Sequence, residues 1–336
     1  MSTVFVSHPP DKLAHYFGPR AVAALQAIAE VRFNPEPREL ALPALLEAAR
    51  DCELLIAYRQ TAGPERLFRE LPQLAAFVRC AVDISTVDVA AASAHGVLVT
   101  QASAGFVPAV AEWVVAMMID LGRGLGRYTE AYHGGTTPLP LMGRELRGST
   151  LGVIGYGRIA RRVCELALAF GMEVRVSAPE AVEESERLRR VPLDVLLGES
   201  HFVVCLAVSN AGTRDLIDAA AFAAMAPGSF FVNASRGELV DEAALLAALD
   251  SGHLGGCALD VGRAPDQMPS AELARHPRVL ATPHIGGLTL PAIEHQAMET
   301  VAQVAALLRG EIPPGAVNAA LATRIRRWQA PARPPA

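Results

Sequence analysis

Residues 150–163, TLGVIGYGRIARRV, contain the most informative pattern of this chain. An apolar, strand-like run leads into residues 155–160, GYGRIA, and a pattern of helical period begins at once. In a G-x-G-x-x-A turn the first glycine permits a tight turn, the second lets the backbone approach a pyrophosphate, and the small third residue allows close packing of helix on strand. The N-terminus of the helix attracts the phosphates. Because strand and helix flank the turn in the required order, the stretch predicts a dinucleotide-binding site at Gly155 and Gly157.

The rest of the chain alternates short apolar runs with Ala/Leu-rich stretches of helical period. Ten runs predict strands: TVFVS, LLIAY, AAFVRC, VLVTQ, TLGVIG, EVRVSA, FVVCLAV, SFFVN, GCALDV and VLATP. This alternation indicates parallel sheets with helices on both faces. Ten strands are too many for one comfortable open sheet, so the sequence predicts an α/β protein with two doubly wound parallel-sheet domains. The boundary is expected near residues 101–107, and the charge-dense residues 180–190 are expected to be solvated surface.

Composition and charge argue against several classes of function. The chain has 336 residues, of which 51% are hydrophobic and 19% charged, and its net charge of −5 gives no reason to expect nucleic acid or an anionic membrane as a partner. Its five cysteines lie far apart without metal-ligand spacing, which is typical of a reducing compartment and predicts no metal site. Neither a signal peptide nor a membrane-spanning run is recognisable, so a cytoplasmic location is expected. The arginine cluster RIRRW, residues 324–328, is expected to belong to a solvated tail.

The choice between NAD and NADP depends on the end of the strand that follows the glycine turn, where the adenosine ribose is recognised. This strand, EVRVSA, leads into Ser177, Ala178 and Pro179, which supply neither a carboxylate for the ribose hydroxyls of NAD nor an arginine for the 2′-phosphate of NADP. Glu180 follows, and it is equally compatible with a ribose contact and with plain surface. The residues here therefore leave the choice between NAD and NADP open.

Two polar side chains follow predicted strands of the sheet that carries the glycine turn. Arg236 lies in FVNASRGELVDEAAL, after one strand, and His284 lies in ATPHIGG, after another. Taken alone, an arginine is usually a surface residue and a histidine is often a structural one. At the carboxyl edge of one parallel sheet they combine into coherent chemistry. A guanidinium binds a carboxylate or polarises a carbonyl, and an imidazole exchanges a proton with an alcohol near neutral pH.

The ordered set VAEWVVAMMIDLGR, LRGSTLGVIGYGRIA, MAPGSFFVNASRGELVDEAAL, ALDV and TPHIGG resembles the D-isomer-specific 2-hydroxyacid dehydrogenases over roughly residues 74–318. The resemblance implies hydride transfer between NAD(P)(H) and a small 2-oxo or D-2-hydroxy acid, with NAD as the expected cofactor and NADP not excluded. It also implies, by analogy, a homodimer formed through the cofactor domain. The implied domains are a split flavodoxin-like substrate domain at residues 1–103 and 286–325, an inserted Rossmann-like cofactor domain at residues 104–285, and a tail at residues 326–336.

The same resemblance implies roles for individual residues. Arg236 would bind the 2-oxo acid, and His284 would be the general acid/base that gives or takes the proton of the 2-hydroxyl. The substrate carboxylate would be held by the backbone of residues 79–86, RCAVDIST, at Ala81, Val82 and Asp83. The cofactor would be held, besides the two glycines, by Arg158, Ile159, Ala234, Asp260 (at the nicotinamide carboxamide) and Gly286.

The sequence departs from the family at the partner of the catalytic histidine. Relatives place a glutamate five residues after the aspartate that corresponds to Asp260, immediately before a proline, and here that position is Pro265. Asp266, one residue later, is expected to take over the orienting role, because a carboxylate beside an imidazolium does the same electrostatic work. Two alternatives stay open: Asp266 only caps its loop, or Gln267 orients the imidazole without giving it charge.

Two further departures bear on specificity. Asp83 and Ser85 stand where relatives commonly have Gly and Asp, and an acidic side chain that points into the pocket would repel a second carboxylate on the substrate. Leu206 and Val208 stand where relatives often have His and Pro, which predicts only a repacked adenine pocket.

The first hypothesis for function is therefore an NAD(P)-dependent oxidoreductase of small 2-oxo and D-2-hydroxy acids. The alternative is a catalytically decayed NAD(H)-binding sensor or scaffold on the same fold, which the missing glutamate motivates. The presence of both Arg236 and His284 in matching contexts argues against decay, since a decayed site has no physical need of them. A third possibility, oxidation of a one-carbon acid such as formate, would need an amide in place of the glutamate, and Gln267 is only loosely placed for that.

Overall fold

The computed structural model describes residues 1–329, and they divide into two units that each contain one parallel sheet. The split unit comprises Met1–Gly105 together with the described residues from Leu290 onward, and the central unit comprises Phe106–Thr289. The predicted α/β class, with two doubly wound parallel sheets, is confirmed.

The split unit has a five-stranded sheet in the order β2-β1-β3-β4-β5, and all neighbouring strands run parallel. Its strands are β1 (Thr3–Val6), β2 (Glu30–Phe33), β3 (Leu54–Ala57), β4 (Ala76–Arg79) and β5 (Leu98–Gln101). Its helices are α1 (Pro10–Tyr16), α2 (Gly18–Gln26), α3 (Leu42–Ala48), α4 (Glu65–Glu70), α5 (Val89–Ala94) and α13 (Leu290–Leu308).

Apolar side chains cover both faces of this sheet, as a doubly wound arrangement requires. Every residue of β3 is fully buried. On one face, α13 packs against α2, and its Val304 joins the apolar cluster that contains Val4 and Val6 of β1. On the other face, α3 and α4 contribute Leu45 and Phe68 to a second cluster. Burying a side chain of this size stabilises the fold by roughly 1.5–3 kcal/mol, so both helical layers are needed.

The central unit has a seven-stranded parallel sheet in the order β12-β11-β10-β9-β6-β7-β8. Its strands are β6 (Thr150–Ile154), β7 (Glu173–Ser177), β8 (Leu188–Arg190), β9 (Phe202–Cys205), β10 (Phe230–Asn233), β11 (Gly256–Leu259) and β12 (Val279–Ala281). Its helices are α6 (Val107–Arg123), α7 (Leu125–His133), α8 (Arg158–Ala169), α9 (Leu193–Glu199), α10 (Ala219–Ala224), α11 (Glu242–Asp250) and α12 (Ala271–Ala274).

The strand order of the central sheet reverses at β6, which lies between β7 and β9. Doubly wound sheets bind ligands beyond the carboxyl ends of their strands at such a switch point. Because β6 ends at Ile154, the glycine turn that follows stands at this point. The loops after β10, β11 and β12 lie on the same edge, since all these strands are parallel.

The sequence did not predict strands β2 and β8, and the presence of β8 differs from what was expected for its segment. Residues 180–190 are not only solvated surface, because they contain β8, whose Leu188 is 4% exposed. This short strand pairs with β7 in parallel register, and its remaining residues are charged and exposed. Strand β2 has four residues and pairs with β1. Backbone pairing at a sheet edge explains both strands, and neither has the apolar pattern that identifies a buried strand.

The arginine cluster at residues 324–328 also differs from the expected solvated segment. It lies in the 3-10 helix Thr323–Trp328, in which Ile325 is buried. Nη1 of Arg324 donates to the carbonyls of Leu71 and Leu74 at 2.8 and 2.9 Å, which holds the segment on the split unit. The rest of the expected tail, residues 330–336, lies outside the described residues. Among residues 1–329, no helix has the length and apolar character needed to cross a membrane.

Candidate active site

The first glycine of the turn after β6 is required by the backbone. Gly155 has φ of +91°, a conformation that residues with a side chain rarely adopt, and its N–H donates to the Ser177 carbonyl at 2.8 Å. A Cβ atom at this position would lie 2.7 Å from the carbonyl oxygen of Leu206. The turn therefore packs against the ends of both neighbouring strands, and only glycine fits its first position.

The second glycine leaves room for a ligand. Gly157 is the N-cap residue of α8, and a Cβ atom there would meet no other atom of the described chain within 4 Å. Gly157 and Arg158 are exposed, and Ile159 is partly exposed, whereas Ala160 is fully buried in the core. The space beside Gly157 at the start of α8 is thus open, which fits a pyrophosphate at this helix N-terminus.

A cavity of about 800 Å³ opens beside the turn, lined only by residues of the central unit. It is walled by the glycine turn, by the residues that follow β7 and β8, and by the loop after β9, where Leu206 and Val208 stand. Concave sites with mostly apolar walls and a few polar groups are typical of cofactor pockets. The residues present therefore fit a dinucleotide such as NAD or NADP.

The loop after β10 fixes the backbone of Arg236. The side-chain amide of Asn233 donates to the Arg236 carbonyl at 2.9 Å, and its oxygen accepts from the Ser235 N–H at 3.1 Å. The Ser235 hydroxyl donates to the Ala207 carbonyl at 2.6 Å, so the loop is tied to the loop after β9. Ala234 lies between these anchored residues and is partly exposed. Arg236 is partly buried, and its guanidinium donates to the Ser235 carbonyl at 2.8 Å.

Direct backbone contact joins the Arg236 loop to the loop after β11. A Cβ atom on Gly237 would lie 2.2 Å from the carbonyl carbon of Gly262. A Cβ atom on Gly262 would in turn lie 2.6 Å from Cα of Pro269. The two loops can approach this closely only because neither glycine carries a side chain. The arrangement sets the spacing between Arg236 and the segment that contains Asp266.

His284 follows β12, and its imidazole is oriented by a main-chain group. Its Nδ1 lies 3.0 Å from the carbonyl oxygen of Asp266, so this nitrogen carries a proton and donates to that oxygen. His284, Asp266 and Gln267 all have positive φ, at 56°, 59° and 56°. Among residues 1–329 only one other non-glycine residue, Asp215, has positive φ. Strained backbone of this kind tends to cluster at functional sites.

The expected partner of His284 therefore acts through a different atom from the one predicted. Asp266 was expected to orient His284 with its carboxylate, but the contact of Nδ1 is with the Asp266 main-chain carbonyl. A carbonyl fixes the ring and its tautomer, yet it brings no negative charge to stabilise an imidazolium. The main-chain carbonyl of the neighbouring Gln267 accepts from the Gly262 N–H at 2.8 Å and closes the loop, and a role of its side-chain amide stays a prediction.

Asp260 holds the segment that contains His284. Asp260 is 4% exposed, and its Oδ1 accepts from the Thr282 hydroxyl at 2.7 Å and from the Ile285 N–H at 2.8 Å. Its Oδ2 accepts from the Gly286 N–H at 2.7 Å. Most of the acceptor capacity of the carboxylate is therefore used within the protein, which indicates a positioning role that the sequence did not reveal. Thr282 helps to hold the Asp260 carboxylate through its hydroxyl, and the sequence did not indicate this role either.

In the split unit, a buried arginine ties the two ends of the expected substrate loop together. Arg79 is fully buried, its Nη1 donates to the Tyr58 carbonyl, and its Nη2 donates to the Thr86 hydroxyl at 2.7 Å. Burial lowers the pKa of Arg79 to about 10, and the charge of Asp83 opposes this effect. Asp83 is exposed, and its Oδ1 accepts from the Ser85 N–H at 2.8 Å. Between the clamped ends, Ala81 and Val82 are partly exposed.

Comparison with known proteins identifies the family. Residues 115–286 match the model of the D-isomer specific 2-hydroxyacid dehydrogenase family, NAD binding domain. The chain is 32% identical over 305 residues to a glyoxylate reductase of Thermococcus gammatolerans, which covers 86% of this chain and 90% of that protein. The chain belongs to the D-isomer specific 2-hydroxyacid dehydrogenases.

Two further comparisons agree with this assignment. An (S)-sulfolactate dehydrogenase of Chromohalobacter salexigens is 35% identical over 270 residues, which is 77% of this chain and 86% of that protein. The crystal structure of a D-lactate dehydrogenase with NAD⁺ from Lactobacillus jensenii superposes with a TM-score of 0.79 over 94% of this chain and 99% of that chain. At 23% identity, the latter supports the fold alone.

The predicted family and enzyme class are thus confirmed. This member of the family is an oxidoreductase of 2-oxo and 2-hydroxy acids, and its cofactor is NAD, with NADP not excluded. The relatives compared are named as enzymes, which supports the dehydrogenase over the sensor or scaffold. Arg236, His284, Asp260 and Asp266 lie on loops at one edge of the central sheet. Their individual roles stay predictions.

Proposed function

We propose that this dehydrogenase reduces a small 2-oxo acid to the corresponding D-2-hydroxy acid, or catalyses the reverse oxidation. In this proposal His284 is the general acid/base, and Arg236 binds the carboxylate and carbonyl groups of the substrate. The nicotinamide cofactor supplies or accepts the hydride, and NADP is proposed as a second acceptable form. The glycine turn with Arg158 and Ile159 would hold the pyrophosphate. Ala234 and Gly286 flank the site on separate loops and would contact the cofactor. The carboxylate of Asp260 would contact it as well, because its hydrogen bonds within the protein leave some acceptor capacity unused.

The observation that carries the proposal is the hydrogen bond between Nδ1 of His284 and the Asp266 carbonyl. It leaves the lone pair on Nε2, because a neutral imidazole with a proton on Nδ1 has no proton on its other ring nitrogen. In oxidation Nε2 takes the hydroxyl proton of the substrate. In reduction the same nitrogen, protonated beforehand, returns a proton to the carbonyl oxygen. The Nδ1 bond is kept in both states, so the ring need not rotate during turnover.

Arg236 complements this proton transfer with fixed positive charge. A guanidinium offers a planar set of donors that matches a carboxylate, and it stays charged through the reaction. Its anchored main chain, bonded by Asn233, supports a fixed position for the side chain. The main-chain N–H groups of Ala81, Val82 and Asp83 are proposed as further carboxylate donors. The clamp that Arg79 places on their loop supports this role.

The oligomeric state and location are also proposals. A homodimer is supported by exposed apolar side chains in one segment of the central unit, where Leu139, Leu141 and Met142 are all more than half exposed. Exposed apolar groups in such a cluster favour association. A cytoplasmic location is supported by five cysteines that are all free and buried. Analytical ultracentrifugation of the purified protein tests the dimer.

The experiment that tests the reaction follows the absorbance of the reduced cofactor with a panel of 2-oxo acids: glyoxylate, hydroxypyruvate, pyruvate, phenylpyruvate and oxaloacetate. Wild-type protein should oxidise the reduced cofactor with at least one of them. His284→Ala should lower kcat by roughly 10²–10⁴-fold, the usual contribution of a general acid/base, and Arg236→Ala should also weaken capture of the oxo acid. The exposed residues His133 and Arg147 provide matched alanine controls that should retain wild-type rates. Near-normal kcat/KM in His284→Ala or Arg236→Ala would contradict the role of that residue.

A further inference from the structure

The part of the cofactor cavity that faces the adenosine ribose contains a cation that is distant in sequence from the glycine turn. In sheets of this type, the residues after the second strand recognise the ribose, with a carboxylate for its hydroxyls or a cation for a 2′-phosphate. Here that strand is β7, and Ser177, Ala178 and Pro179 bring no charge. All three line the cavity, and so does Arg190, the last residue of β8.

Arg190 reaches the end of β7 because β8 pairs with β7 in parallel, with Val176 opposite Arg190. Its Nε donates to the carbonyl of Ala178 at 3.0 Å, and its Nη2 lies 3.5 Å from the carbonyl of Pro179. The guanidinium therefore lies against the main chain of the residues where a ribose 2′-substituent is recognised. Arg190 and Pro179 are eleven positions apart in the sequence, so only the strand pairing reveals this proximity.

The main chain around Arg190 is held on both sides. Its own N–H donates to Oε1 of Glu184 at 2.8 Å, and the N–H of Val191 donates to the Val176 carbonyl at 2.9 Å. The Arg190 side chain donates to neutral main-chain carbonyls, so these hydrogen bonds orient the guanidinium without neutralising its charge. A guanidinium carries five N–H donors, and these two contacts leave three for a ligand. An oriented cation of this kind is suited to a phosphate.

We infer that Arg190 binds the 2′-phosphate of NADP(H), so that the cofactor cavity accepts NADP(H) as well as NAD(H). The inference rests on the proposed function for the identity of the cleft as a cofactor site. Glu180 lines the same cavity, and its carboxylate is the feature that would favour the ribose hydroxyls of NADH instead. Glu180 and Arg190 are both exposed, and the guanidinium of Arg190 is held by the carbonyls of the residues that immediately follow β7.

The test measures binding of adenosine 2′,5′-bisphosphate and of adenosine 5′-monophosphate by calorimetry, which needs no turnover. Wild-type protein should bind the bisphosphate more tightly. Arg190→Ala should lower the affinity for the bisphosphate by about tenfold or more, since it removes a charge-assisted contact. The affinity for the monophosphate should not change. Arg189→Ala is the matched control, because Arg189 is exposed on the same strand and its side chain points to the opposite face. Arg190→Lys, which keeps the charge but not the planar fork, should recover part of the affinity.

The outcomes separate this inference from the proposed reaction. Equal affinity of wild-type protein for the two nucleotides, or tighter binding of the monophosphate, would overturn the inference in favour of Glu180. If Arg190→Ala lowers the affinity for both nucleotides equally, Arg190 has a purely structural role. If neither nucleotide binds, both the assignment of the cavity as a cofactor site and the inference about Arg190 are overturned. Selective binding of the bisphosphate without turnover on any 2-oxo acid would contradict the proposed reaction alone.

Discussion

Replacing Asp260 by asparagine should disturb the segment that contains His284. Three donors share the carboxylate: the Thr282 hydroxyl and the Ile285 N–H at Oδ1, and the Gly286 N–H at Oδ2, at distances of 2.7, 2.8 and 2.7 Å. An asparagine side chain has only one acceptor oxygen. At least one of these donors then faces an NH₂ group. If the oxygen keeps the Oδ1 position, the buried Gly286 N–H loses its partner.

The least costly arrangement thus loses one charge-assisted hydrogen bond and leaves a buried donor unsatisfied, at about 2–4 kcal/mol. The segment can avoid this cost by turning its N–H groups toward water, and that movement displaces His284. Because a misplacement of about 1 Å lowers the rate roughly 10²-fold, we expect kcat/KM of Asp260→Asn to fall by that factor.

Steady-state kinetics, combined with the dissociation constant of the cofactor, distinguish this positioning role from a direct contact with the carboxamide. Loss of positioning lowers kcat with little change in cofactor affinity, whereas loss of a carboxamide contact weakens cofactor binding first. Thr282→Val keeps the carboxylate and removes one donor, so it should cost about tenfold in kcat/KM. Thr282→Ser retains the hydroxyl and is the control. An Asp260→Asn enzyme with kcat/KM within about twofold of wild type would show that the carboxylate does not position His284.

Two further predictions concern Asp266 and His8. Asp266→Asn should keep kcat/KM within about threefold of wild type, because Nδ1 of His284 bonds to the main-chain carbonyl; a loss of about tenfold or more would instead show that the carboxylate itself is needed. His8 is fully buried, and burial is the main cause that lowers its pKa to about 3. Between this value and the ordinary 6.5 the unfolded chain binds a proton that the folded chain does not, so stability falls as the pH falls. In urea unfolding, His8→Phe should therefore remove about 1–2 kcal/mol of the stability lost between pH 7 and pH 5, and His133→Asn, at an exposed position, should leave that loss unchanged.

The sequence predicted those parts of the site that depend on strand ends. Gly155, Arg236 and His284 each follow an apolar run, and parallel strands place their carboxyl ends on one edge regardless of loop detail. β8 could not be predicted in this way, because it is three residues long and only Leu188 among them is buried. Its pairing with β7 is a long-range property of the sheet, so the approach of Arg190 to Ala178 was invisible in the sequence.

The atom of Asp266 that Nδ1 of His284 contacts could not be predicted from the sequence, for a different physical reason. A sequence displays side chains, so a carboxylate near the family's glutamate position is the natural candidate, whereas every residue has a carbonyl and none is distinguished by it. What makes the Asp266 carbonyl available is the backbone, which is left-handed at both Asp266 and Gln267. Asp and Asn adopt that conformation more readily than most residues with a side chain. The requirement at position 266 is therefore conformational as far as His284 is concerned, and asparagine should replace Asp266 with less harm than valine or glutamate.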